Sequence, residues 1–184
     1  MSSKLLKSQS GQTLMELVVV ITVAVIVVGA LVFATIASLR NAQFAKNQSQ
    51  ATKLAQEGIE KVRVGRDRNQ AIINLSPVTF WNGDGNPNSS LWSYQISTGC
   101  GTGGNCYFNV DSQGALTYKA TSSSVPTTSE SIPLAFQRAV ILSDSSSSYA
   151  NQKTVTVIVQ WSDFSGTHQS RLTTILGNLG NINP

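Results

Sequence analysis

Hydrophobic and polar positions follow three different rules along this chain. From Leu17 to Ala37 there is no charged residue and no proline, and only Thr22, Gly29 and Thr35 interrupt the apolar run. A helix over this stretch is long enough to cross a bilayer core of about 30 Å. From Ser38 to Arg68 the pattern becomes amphipathic. Ala51, Leu54, Ala55, Gly58, Ile59 and Val62 recur at the spacing of one helical face. Glu57 and Lys61 stand four apart, acid first, as a favourable pair on that helix. No proline occurs before Pro77, so the two patterns are expected to form one continuous helix ending near Arg68, its second half laid on a head.

The third rule is alternation. Val155, Val157, Val159 and Trp161 share one side of a strand, with Thr154, Thr156, Ile158 and Gln160 on the other. Strands are expected at Trp92–Ser97, Cys106–Val110, Ala115–Lys119, Leu134–Leu142 and Thr154–Trp161, with Thr167–Leu176 returning as a hairpin partner. Turns are expected at AspSerGlnGly and AspPheSerGly, and a loop over the Ser/Thr-rich stretch Thr121–Ser131. A long helix followed by antiparallel strands predicts an α+β fold with the sheet packed on the helix. The division this implies is a leader over 1–11, a transmembrane helix over 12–38, an amphipathic stem over 39–68 and a β-rich head over 69–184.

Composition changes the picture in two places. The 184 residues suffice for one globular domain beside the helix, and charged residues make up only 12%. The net charge of +4 is concentrated in the stem. Arg40 to Arg68 is strongly basic, whereas the chain from Asn69 onward carries five acids against four bases. This is no compact basic patch interleaved with aromatics, so nucleic acid is not an expected partner. Cys100 and Cys106 flank a Gly/Asn/Thr-rich stretch whose spacing suits neither a redox CxxC nor zinc. A small-loop disulfide in an oxidising compartment is the expected reading, stabilising by about 2 kcal/mol.

Candidate chemistry in the head is sparse. His168 is the only histidine, and Asp163 is the only acid near it in sequence, so neither a catalytic triad nor a histidine metal site is expected. Asn82, Asp84 and Asn86 alternate as in half of a calcium loop. The glycine at the sixth position and the distal glutamate are missing, which favours a plain turn. Trp81, Trp92 and Tyr94 could stack on a sugar, but aromatics in this number more often serve packing.

The start of the chain is the most specific segment. A basic, polar stretch holding Lys4 and Lys7 ends at Gly11, and the apolar helix comes only after it. A secretory signal would place its cleavage site beyond the apolar run. Gly11, Thr13, Leu14 and Glu16 together resemble the signal of type IV prepilins and type II secretion pseudopilins, most closely the minor ones. The LeuAlaGlnGluGlyIleGluLysValArg stem and the closing hairpin are similar to that family as well. The resemblance implies cleavage after Gly11 by a prepilin peptidase and N-methylation of Gln12, which stands where the family usually has phenylalanine. It also implies assembly through Thr13, Leu14 and Glu16 with other pilin or pseudopilin subunits on an assembly platform. No enzyme activity, cofactor or metal is implied.

Glu16 has a physical logic of its own. A carboxylate near the centre of a spanning helix costs about 3 kcal/mol, so an acid at its lip favours a cationic partner. The amine freed on Gln12 of a neighbouring subunit would supply one, and pairing would fix the stagger between helices. Ala30, Ala34, Ser38 and Ala42 place small residues on one stripe, where helices could approach closely. Lys4 and Lys7 before the run balance Arg40 and Lys46 after it, so charge counting leaves the orientation tied. The cysteine pair and the polar head favour a single pass of the cytoplasmic membrane with the N-terminus inside and the head outside. The competing expectation is a membrane-anchored binding module, an adhesin or a DNA-uptake pilin.

Overall fold

The computed structural model describes residues 10–73, 90–96, 100, 105–133, 135–144 and 150–179, with side chains from Leu14 onward except that of Ile73. Among the described residues the named elements are a long helix, α1 (Ser10–Asp67), and seven strands that follow it. These are β1 (Ile72–Ile73), β2 (Asn105–Val110), β3 (Leu116–Ser122), β4 (Glu130–Ile132), β5 (Phe136–Ser143), β6 (Gln152–Asp163) and β7 (Gly166–Gly177). The expected α+β architecture is present. The chain divides into two compact units, Met1–Lys46 and Asn47–Pro184.

In the first unit every described residue is helical. The second unit is built around a single sheet with the order β1-β3-β2-β5-β6-β7, and β4 adds to β5 on the same side as β2. All pairings are antiparallel except that of β1 with β3. The helical part of this unit lies on the sheet. Ala51, Ala55, Ile59 and Val62 are buried against a core that includes Phe108, Phe136, Val140, Leu142, Val155, Val157, Val159 and Trp161, and Leu54 packs at its margin. This is the face that the 3.6-residue spacing selects.

Two glycines set how closely helix and sheet meet. A Cβ at Gly58 would press on Val157 and Arg138, and one at Gly65 would fall on the backbone of Gly114 in the β2–β3 turn. That turn is held by Asp111, whose Oδ1 accepts from the backbone N–H groups of Gln113 (2.8 Å) and Ala115 (2.9 Å), and Gly114 adopts a φ of +90°. The helix ends in a Schellman motif. Asn69 takes the left-handed conformation (φ 51°), its N–H donates to Arg66 O, and Gln70 N–H donates to Gly65 O at 2.8 Å.

Several sequence expectations need correction. The strands are expected to be antiparallel, but a short β1 follows the helix and pairs parallel with β3. Trp92–Ser97 is not a strand. Trp92 and Ser93 form a turn, and Ser97 lies outside the described residues. The backbone here is held by side chains of the sheet as well as by a bridge at Tyr94: Tyr94 O accepts from Lys153 Nζ and Ile96 N–H donates to Asp144 Oδ2.

Thr121–Ser131 is only partly loop, since β3 runs through Ser122 and β4 starts at Glu130. A cross-strand pair explains β4: Glu130 is opposite Arg138 on β5 and takes a two-pronged ion pair from it, Nε to Oε2 at 2.8 Å and Nη2 to Oε1 at 2.7 Å. The strand expected from Leu134 begins at Phe136, and Leu134 lies outside the described residues, as do Trp81, Asn82, Asp84 and Asn86. The β6–β7 hairpin is longer than expected and pairs from Gln152↔Gly177 to Asp163↔Gly166.

Candidate functional site

Among the described residues the first unit's helix is the most unusual surface. Leu14, Met15, Val18, Ile21, Val25, Ile26, Leu31 and Phe33 are each more than half exposed, and Phe33 reaches 77%. Exposed apolar area on this scale is not found on ordinary monomeric surfaces. The polar interruptions are neutralised within the helix itself. Thr22 Oγ1 donates to Val18 O (2.8 Å) and Thr35 Oγ1 to Leu31 O (2.5 Å), so neither hydroxyl needs water. The helix is long and apolar enough to cross a membrane.

The sequence-derived residues sit on this helix as follows. Gly11, Gln12 and Thr13 fall in its first turns. Leu14 and Glu16 are exposed near its start. Ala30, Ala34, Ser38 and Ala42 are exposed at four-residue intervals and so share a face. Gly29 has nothing within 4 Å of a built Cβ, unlike Gly58 and Gly65 on the same helix. What such a helix offers chemically is one carboxylate at the start of a hydrocarbon surface and a stripe permitting close approach.

In the second unit, Cys100 and Cys106 are joined as a disulfide with their Cα atoms 5.5 Å apart. His168 lies on the β6–β7 hairpin, opposite Trp161. Its ring stacks on Trp161 with centroids 5.5 Å apart, and Nε2 lies 3.0 Å from Asp163 Oδ1 and 3.1 Å from Ser165 Oγ. The three residue types of a hydrolytic triad therefore meet at the β6–β7 turn. Their geometry is that of a turn cap. Ser165 donates both its hydroxyl (2.7 Å) and its backbone N–H (2.8 Å) to Asp163 Oδ1, and a single imidazole nitrogen faces both partners, whereas a relay needs one nitrogen for each. The Ser165 hydroxyl bond, followed by its backbone bond and His168, holds the Asp163 carboxyl below the usual aspartate range. Among the described residues no three His, Cys, Asp or Glu side chains gather as a metal site.

Two buried ionic clusters escaped the sequence reading. Lys153 Nζ lies 2.5 Å from Asp144 Oδ2, and both side chains are fully buried. Burial lowers the Lys153 pKa against the opposing pull of Asp144. Arg138, 1% exposed, holds Glu130 and also donates to Leu54 O at 3.2 Å, with Glu57 at 3.3 Å. Glu57 in turn pairs with Lys61 at 3.0 Å, as its spacing predicts. The signal for both was present in strand parity. Lys153 falls on the side of Val155, Val157 and Val159, and Arg138 on the side of Phe136, Val140 and Leu142, so each cation occupies a core-facing position.

A long apolar N-terminal helix whose C-terminal part packs on a largely antiparallel sheet is a shape compatible with a pilin-like fold. No protein-family model, curated protein or solved structure matches the chain.

Proposed function

We propose that the protein is a minor structural subunit of a type IV pilus or type II secretion pseudopilus. On this reading prepilin peptidase cleaves after Gly11, Gln12 becomes the N-methylated first residue, and the chain waits in the cytoplasmic membrane with its head outside. It then enters a filament on the assembly platform, with helices inside and heads outside. One observation carries the proposal: an apolar stretch of α1, exposed among the described residues, begins immediately after a Gly11-to-Glu16 segment of prepilin type.

The physical steps follow from that helix. In lipid its side chains are solvated by hydrocarbon, and in a filament they are covered by the same helix of other subunits. Transfer between the two loses little apolar burial, so a polar contact can decide the register. Glu16 supplies that contact with the amine of a neighbour's Gln12, since an acid left unpaired among apolar helices is penalised.

The test is the intact mass and N-terminal peptide of the membrane-extracted protein, with and without co-expressed prepilin peptidase. A chain beginning at Gln12 only when the peptidase is present supports the proposal, and Gly11→Ala should abolish that product. A chain retaining Met1 to Gly11 in both conditions refutes it.

A further inference from the structure

The face of the sheet turned away from the helix carries a small apolar cluster of Tyr107, Ala139, Ile141 and Ile158, which Val125 of the β3–β4 connection covers. Beside this cover lies a cavity of about 250 Å³. The register shows how it is built. Gln160 on β6 is directly opposite Gln169 on β7, and Arg171 is opposite Ile158, so all three rise from the outer face beside the apolar cluster. Ser123, Ser124, Tyr107, Thr167 and His168 complete the polar lining.

The contents of this cavity are unbalanced. Its lining holds one permanently charged cation, Arg171, beside the His168 imidazole, and no carboxylate. Among the described residues the side chains of Gln160, Gln169 and Arg171 make no hydrogen bond or ion pair within the chain, whereas most cations of this unit are committed to acids. A planar guanidinium with two amides and several hydroxyls matches a ligand bearing one carboxylate among several hydroxyl groups. A single cation does not suit a polyphosphate backbone, which calls for several. The volume lies below the ~300 Å³ at which drug-sized pockets begin, which fits one sugar ring.

We infer that this outer-face pocket is a binding site for an acidic saccharide of the uronic-acid class, with Arg171 holding the carboxylate and Gln160 and Gln169 the ring hydroxyls. The inference stands apart from the assembly reading, because it uses only residues of the second unit.

Saturation-transfer NMR on the full-length protein in nanodiscs tests it, with glucuronate, glucose and acetate as probes. Glucuronate should bind at millimolar concentration or better, and glucose and acetate at least about tenfold more weakly, since each lacks one half of the recognised chemistry. Arg171→Gln should weaken glucuronate at least about tenfold without shifting the thermal unfolding midpoint, and Arg171→Lys should retain part of the binding. Absence of transfer from the protein to glucuronate overturns the inference, as does equal binding by the wild type and Arg171→Gln. Acetate binding as tightly as glucuronate also overturns it, because the pocket would then read a bare anion and no sugar.

Discussion

Val18, Val27 and Val157 are the same residue in the same chain, yet the first two are about half exposed and the third is fully buried. The contrast runs through both units. Between Asn47 and Pro184 the helix owes its place to Ala51, Ala55, Ile59 and Val62 meeting the valines of β6. Between Ser10 and Lys46 the helix has its own backbone bonds and, among the described residues, its apolar side chains are exposed. A helix in water draws most of its stability from packing of one face. A helix apolar on all sides is of the kind found buried in a large core or in a membrane. The two units are therefore expected to respond differently to the same substitution.

The largest effect should come from the buried ion pair. Lys153→Met leaves the fully buried Asp144 without its ammonium and is expected to destabilise the second unit by about 3–5 kcal/mol, measured by denaturant unfolding of the detergent-solubilised chain. Replacing both partners together, as Lys153→Met with Asp144→Leu, should recover most of that loss. A single variant as stable as the wild type would show that the pair is not what holds the 90–96 segment.

A glycine series sharpens the contrast further. Gly65→Ala drives a methyl group into the Gly114 backbone and should cost about 3 kcal/mol in the same unfolding measurement. Gly29→Ala, with open space around it, should leave that transition unchanged and favour the helix by about 1 kcal/mol of propensity. Equal effects at the two positions would erase the distinction between the units.

The smallest expected effect is on pH dependence. The hydrogen bond from Lys61, then the charge of Arg138, lowers the pKa of Glu57 from 4.5 against the opposing effect of burial. Its folded-state pKa lies below the unfolded one, so its contribution is complete above about 4.5 and is lost as pH falls through the lowered value. Because Glu57 is half exposed, screening keeps this contribution small. Glu57→Gln should flatten the acid limb of a stability-against-pH curve and leave the neutral region nearly unchanged.

How much of this was legible follows from where the information lies. The helix was readable because Leu17–Ala37 and the stem face each obey one local period, and the β6–β7 hairpin because Val155 to Trp161 alternate without a break. The 90–96 segment was misread because its backbone is satisfied by Lys153 and Asp144, which stand about fifty residues away. β4 was hidden in a Ser/Thr-rich stretch because the Glu130–Arg138 contact that fixes it is set by pairing with β5, not by propensity. β1 pairs with a strand more than forty residues on, beyond any local pattern. On the candidate site the balance is reversed. Gly11 and Glu16 were legible as a motif, while the meeting of Asp163, Ser165 and His168 at one turn, and of Gln160, Gln169 and Arg171 on one face, needed the register.

The central claim is that the bare helix of the first unit is an assembly surface whose register Glu16 sets. The most direct measurement is the amount of Glu16→Ala protein recovered in sheared filaments, relative to wild type, when both are equally cleaved after Gly11 and equally present in the membrane. The account predicts a loss of at least about tenfold in filaments, in line with removal of one buried charge pair, with membrane content unchanged. Recovery of Glu16→Ala protein in filaments at the wild-type level would contradict it.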